Sequence, residues 1–135
     1  PNYKFRLSAF QEPLLQWLDA NPDAVLPRAR YNEVRALVEG GLHDLSISRL
    51  RDTNEWAIPV PSDPSHSIYV WLDALTNYLT VSGFPWAEDD VGPDAWPPYV
   101  HIVGKDILRF HAVYWPAFLM AANILNWGLL NHIFI

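Results

Sequence analysis

The 135-residue sequence predicts an α/β domain built on a parallel sheet, with a helical segment at its N-terminal end. Three observations support this. In the second half, short β-rich runs alternate with stretches of helical period. Turn residues punctuate those runs at intervals that suit right-handed crossovers. In the first half, two amphipathic stretches carry a helical period instead. The predicted division is residues 1–42, helical, and residues 43–135, which carry the sheet.

The elements follow in chain order. Ser8 and Gln11 have capping-box spacing and open a helix toward Ala20. Pro13 starts or kinks that helix, because its ring would meet the carbonyl of Ala9. Asn21-Pro22 ends it. A second helix runs from Arg28 to Val38, with Tyr31, Val34, Leu37 and Val38 on one face, and Gly40-Gly41 stops it. Asp44–Arg49 alternates as a short strand. Trp56–Pro61 is extended by its prolines. Ile68–Leu72 reads as a strand buried on both faces. A helix from Ala74 to Val81 ends at Ser82-Gly83. Phe84–Pro98 is an acidic loop rich in Pro and Trp, and Tyr99–Gly104 is a strand. A long helix spans Ile107 to Ala122, with Asp106 as its N-cap and Pro116 as a mid-length kink. The terminal LLNHIFI is a third strand.

Composition narrows the function. The net charge of −6 opposes non-specific nucleic-acid binding, which needs a dense array of Lys and Arg. With no cysteine there is no disulfide, thiolate zinc site or thiol nucleophile. No run of 18 apolar residues suggests a membrane span. The six glycines form neither GxGxxG nor a P-loop. No His pair has zinc-site spacing, and no G-x-S-x-G elbow surrounds Ser46 or Ser48. The chain lacks an initiator Met and a signal-peptide layout, and so reads as part of something longer.

In open α/β sheets, ligands bind beyond the C-terminal ends of the strands. Two predicted strand ends carry polar groups: Trp71-Leu72-Asp73 and Gly104-Lys105-Asp106. Ile107 and His111 share a helix face, as do Ala74 and Tyr78. Together they would line an apolar pocket floored by Trp71, with a phenol and an imidazole as polar handles. Singly, each residue has a plainer reading. His111, Trp71 and Tyr78 would be core, Asp106 and Asp73 helix caps, Lys105, Arg49 and Arg51 solvated charges, and His101 a structural strand residue.

Five ordered blocks carry a resemblance: NYKFRLSAFQ, DLSISR, WAIPVP, IYVWLDALTNYLT and HIVGKDILRFHAVYWPAFLMAA. They resemble the methionyl-tRNA synthetases, class I enzymes, in their bacterial and mitochondrial flavour. The resemblance covers Asn2 to about Ala122. It implies a Rossmann-like catalytic domain that forms methionyl-adenylate from methionine and ATP, with Mg2+, and then esterifies tRNA. It also implies a mitochondrial matrix location, with the cytoplasm as the alternative. By resemblance, Trp71, Ala74, Leu75, Tyr78, Ile107 and His111 occupy methionine-pocket positions. Gly104 and Asp106 occupy ribose positions, and Arg49 matches an arginine near the catalytic centre. Some family members have Pro at the position of Leu75.

The family's HIGH motif and KMSKS loop have no counterpart here, since Lys4 and Lys105 are the only lysines. Residues after Ala122 leave the family's usual path. The alternative is therefore an inactive fragment serving at most as a binding or structural domain. A synthetase for another aliphatic amino acid is disfavoured by YVWLDA together with DILRFH. Lys105 and Arg109 receive no role.

Overall fold

The computed structural model describes residues 1–51, 56–86, 96–124 and 132–134. A short strand, β1 (Lys4–Phe5), leads through a 3₁₀ turn (Leu7–Phe10) into α1 (Gln11–Ala20). Ser8 and Gln11 do not cap that helix. The Ser8 hydroxyl donates to Asp44 Oδ1 at 2.6 Å, and Gln11 Oε1 accepts from the Leu42 amide at 3.1 Å. Both polar groups pin the helix start to the loop that follows α2 (Arg28–Glu39). Pro13 lies in the first turn of α1, where the N–H it lacks would have no intrahelical acceptor.

The two N-terminal helices pack through Leu14, Leu18, Val34 and Val38, all buried. Burying such aliphatic side chains contributes roughly 1.5–3 kcal/mol each. The Tyr31 hydroxyl donates to the Leu18 carbonyl at 2.8 Å, so its polar end is satisfied inside the core. Gly41, at φ +99°, ends α2 in the left-handed region that favours glycine.

Three small sheets follow from the remaining strands. β1 pairs antiparallel with β3 (Leu45–Ser46). An antiparallel sheet has the order β4 (Ser48–Leu50), β6 (Asp63–Ile68), β5 (Pro59–Val60). The parallel sheet has the order β2 (Val25–Leu26), β8 (His132–Phe134), β7 (Val100–Ile102). The expected third strand thus exists at His132–Phe134 and sits in the centre of the parallel sheet. The rest of that terminal run, and most of the acidic loop, lie outside the described residues. β2 has a weak signal, three apolar residues (Ala24–Leu26) between Pro22 and Pro27.

The predicted strand Ile68–Leu72 is corrected. Only Ile68 is in a strand, and that strand is antiparallel. Residues Val70–Val81 form α3, so Trp71, Leu72 and Asp73 belong to its first turn. β-branched and aromatic residues suggested a two-sided strand, but burial is one-sided. Val70 is 63% exposed, while Leu75 and Leu79, four residues apart, face the core.

The long C-terminal helix exists with a changed register. A 3₁₀ turn (Lys105–Ile107) leads through Leu108 and Arg109 into a π-turn (Phe110–Tyr114) and then α4 (Trp115–Ala121). The Trp115 amide donates to the Phe110 carbonyl, five residues back. Pro116 therefore does not kink the helix at mid-length; it stands in the first turn of α4. In α-register it would leave the Ala112 carbonyl without a donor and crowd it with its ring, and the π-turn just before it relieves both demands. Asp106 is not the N-cap. Gly104 occupies that position and no side chain caps the turn.

Candidate active site

The π-turn and α3 bring together the two residues the sequence singled out as polar handles. Tyr78 Oη lies 2.7 Å from His111 Nε2. His111 Nδ1 lies 2.9 Å from the Ile107 carbonyl. A carbonyl only accepts, so Nδ1 carries the proton and Nε2 is the acceptor. The Tyr78 hydroxyl must then donate to Nε2. Each donor of this pair is committed inside the protein, and the phenol oxygen keeps only lone pairs.

Burial sets the charge state. His111 is 3% exposed, and desolvation holds its pKa below the usual histidine value, against the opposing effect of the Ile107 carbonyl. Desolvation raises the Tyr78 phenol. Both groups are neutral at neutral pH.

A third ring completes the cluster. His101 of β7 meets the Tyr78 ring edge-on at 4.5 Å and lies 5.7 Å from the His111 ring. It is 6% exposed, and its Nε2 has no hydrogen-bond partner among the described residues. Desolvation, with the nearby His111 as a smaller cause, lowers its pKa to about 4. Strand alternation could have exposed this residue to sequence reading, because Val100 and Ile102 on either side point the opposite way.

Trp71 and Phe110 stack at 3.9 Å with an interplanar angle of 15°. Phe110 was not singled out from sequence, because it reads as ordinary core on an apolar helix. Ala74 and Ile107 are half-buried, while Leu75 is 1% exposed and belongs to the core. Gly104 and Asp106 are both exposed at the end of β7. A Cβ at Gly104 would meet nothing within 4 Å. Arg49 lies on β4, its guanidinium donating to the Ser48 carbonyl at 2.7 Å and to Ser46 Oγ at 3.0 Å. The same group lies 4.7 Å over the Tyr69 ring, at the residue that precedes α3.

The two polar strand ends expected of one parallel sheet thus come from different sheets. Only β7 is parallel; α3 follows the antiparallel strand β6. What brings them together is packing of α3 on the π-turn. A separate cleft of about 660 Å³ adjoins this site, lined by Tyr69, Lys105, Asp106, Arg109, Phe110 and Tyr114, among others. Among the described residues, no cluster of His, Asp or Glu could hold a metal ion.

The profile of the family described as tRNA synthetases class I (M) matches residues 1–135. The chain belongs to this family. The methionine–tRNA ligase of Mycobacterium leprae is 55% identical over 122 residues, covering 90% of this chain and 22% of that protein. That of Rhizobium meliloti is 55% identical over 125 residues, covering 91% and 23%. The methionyl-tRNA synthetase of Mycobacterium tuberculosis, solved with methionyl-adenylate, superposes with a TM-score of 0.84 at 51% identity. That match covers 98% of this chain and 25% of the solved one. The free form of the same enzyme superposes equally well, with 98% and 26% covered. The chain therefore spans about a quarter of the class I synthetases it matches, and its α/β fold is theirs.

Proposed function

We propose that this chain is the part of a methionine–tRNA ligase catalytic domain that recognises the methionine side chain and the ribose of ATP. The whole reaction joins methionine to ATP as methionyl-adenylate, releases pyrophosphate, and passes methionine to tRNA. The observation that carries the reading is the Tyr78–His111 hydrogen bond, anchored by the Ile107 carbonyl, with the Trp71–Phe110 stack joining the same two elements, α3 and the π-turn. A thioether is soft, polarizable and a weak acceptor. It needs no donor, and this pair offers none. A side chain bearing a carboxylate or amide would lose its water here without compensation. The aromatic surfaces of Trp71 and Tyr78 suit sulfur instead. Leu75 acts from behind, as packing under the pocket.

Gly104 and Asp106 fit the ribose reading. The Asp106 carboxylate is exposed and able to accept from two vicinal hydroxyls, and the space beside Gly104 is open. Arg49, oriented by Ser48 and Tyr69, is the cation we assign to the catalytic centre. ATP would arrive with Mg2+, held chiefly by its own phosphates. The bacterial and mitochondrial flavour of the sequence blocks supports a mitochondrial matrix location, with the cytoplasm as the alternative; cell fractionation separates them.

The test is methionine-dependent ATP–pyrophosphate exchange in the complete protein that carries this segment. His111→Ala is expected to raise the methionine KM about tenfold, equivalent to about 1.4 kcal/mol, with the ATP KM unchanged. Asp106→Ala is expected to do the reverse. Unchanged methionine kinetics in His111→Ala would remove the pocket assignment.

A further inference from the structure

We propose that His66 of β6 is a positioning residue that holds Arg49 for the reaction, acting through Ser48. This rests on the reading of Arg49 as the cation of the catalytic centre and names what keeps it in place. Arg49 is exposed on β4, where an untethered guanidinium would sample many rotamers. Two contacts restrain it. The guanidinium donates to the Ser48 carbonyl at 2.7 Å and lies 4.7 Å over the Tyr69 ring. The first contact is only as well aimed as the peptide between Ser48 and Arg49.

That peptide is fixed from the opposite face of the strand. Successive strand side chains alternate, so Ser48 turns inward while Arg49 turns to solvent. Ser48 is 1% exposed. Its Oγ accepts from the Tyr3 amide at 2.8 Å and lies 3.0 Å from His66 Nδ1. A buried hydroxyl proton needs an acceptor, and His66 Nδ1 is the one beside it, so Ser48 donates and His66 accepts. The link runs diagonally across the sheet. Ser48 pairs with Ile68, and His66 stands two residues before Ile68 on the same face.

The network is closed to solvent. His66 is 6% exposed, and the Tyr3 ring meets it edge-on at 5.3 Å. The Tyr3 hydroxyl donates to Asp63 Oδ2 at 3.0 Å, while Asp63 Oδ1 accepts from the Ser65 amide at 3.1 Å. A Ser, a His and an Asp in one neighbourhood suggest a nucleophile. Ser48 is too buried for that, and its oxygen already engages two partners. Its hydroxyl locks a strand instead. Local spacing could not reveal the link, because Ser48 stands 45 residues from Tyr3 and 18 from His66.

The experiment uses the complete ligase, with methionine-dependent ATP–pyrophosphate exchange expressed per active site titrated by methionyl-adenylate formation. His66→Leu removes the acceptor, whereas His66→Asn keeps one, since its Oδ1 can replace Nδ1. The expected result is a roughly tenfold fall in kcat/KM for methionine in His66→Leu and in Ser48→Ala, and a fall below about threefold in His66→Asn. In an Arg49→Gln background, His66→Leu should add less than about twofold, because both changes act on one interaction. The Arg49 Nε–H signal in NMR should be protected from exchange in the parent and lost in His66→Leu. Parent-level kcat/KM in His66→Leu overturns the proposal. So does an equal loss in His66→Asn, or a full further loss in the Arg49→Gln background, since either would make His66 a folding residue only. If His66→Leu does not fold, Ser48→Ala reads the same link. If Arg49→Gln keeps parent activity, the functional reading of Arg49 fails by itself, while an unchanged Arg49 signal in His66→Leu would still overturn the positioning role.

Discussion

His101, His111 and Tyr78 meet in the interior without a charge among them. The order of proton donation is fixed by one carbonyl: Ile107 takes the Nδ1 proton, which leaves Nε2 to accept from the phenol. Burial then penalises any protonation of either imidazole. The pH consequence has a definite sign. His101 binds a proton near pH 6.5 when unfolded and near pH 4 when folded. Local stability is therefore complete above about pH 6.5 and falls as pH drops toward 4, with His111 acting in the same direction. The loss reaches roughly 3 kcal/mol for His101, from about 1.4 kcal/mol per pH unit over that interval. His101→Phe keeps the edge contact with Tyr78 and removes the titration. Hydrogen-exchange protection of β7 should decline between pH 7.5 and 5 in the parent and much less in this variant. Equal decline in both would refute the role given to His101. Tyr78 and His111 were legible in the sequence because each stands four residues from another candidate on a helix. For His101, strand alternation offers only an inward position between Val100 and Ile102; its meeting with Tyr78 and His111 was not legible, because its neighbours on α3 and the π-turn are remote in sequence.

At the scale of elements, the π-turn is what aims His111. Pro116 cannot donate to the Ala112 carbonyl, and the wider turn from Phe110 to Tyr114 rotates the preceding residues relative to an α-register. Pro116→Ala restores the missing donor, so the helix should relax toward α-geometry and turn His111 away from Tyr78. The expected outcome is a methionine KM raised several-fold and a changed His111 imidazole signal in NMR, without loss of helix by circular dichroism. A variant with native KM and native imidazole shifts would show that the π-turn is held by other packing. The sequence revealed Pro116 as a break in helical order. It did not say whether the response would be a kink or a wider turn, because the choice depends on the tightly packed Ala112, Val113, Ala117 and Leu119 around it. The start of α3 shows the opposite failure. Ile68–Leu72 has strand propensity, but Tyr69 is the N-cap and helix begins at Val70. Tertiary burial of Leu75 and Leu79 outweighed a local preference worth at most about 1 kcal/mol per residue.

At the scale of the molecule, the parallel sheet has an open apolar side. Ile102 is 81% exposed, and Tyr99 and Phe134 are exposed as well. The proposed site supplies recognition groups only, while the HIGH and KMSKS motifs that the family resemblance assigns to phosphate chemistry have no counterpart in the 135 residues. Residues 1–135 purified alone should therefore give no methionine-dependent ATP–pyrophosphate exchange above background. Robust exchange would show those motifs to be dispensable.

The sequence by itself determined the helices of the N-terminal segment, the strand before Gly104, the α/β class, the family, and the pairing of Tyr78 with His111 as candidates. Those features rest on local spacing, on turn residues and on ordered motifs, all of which are written in consecutive residues. Only the tertiary structure decided that β8 lies between β2 and β7, that α3 grows from an antiparallel strand, that His101 joins the site, and that Lys105 and Arg109 face a cleft. Each of these depends on contacts between residues distant in the chain, where burial and hydrogen-bond satisfaction, rather than local preference, select the arrangement.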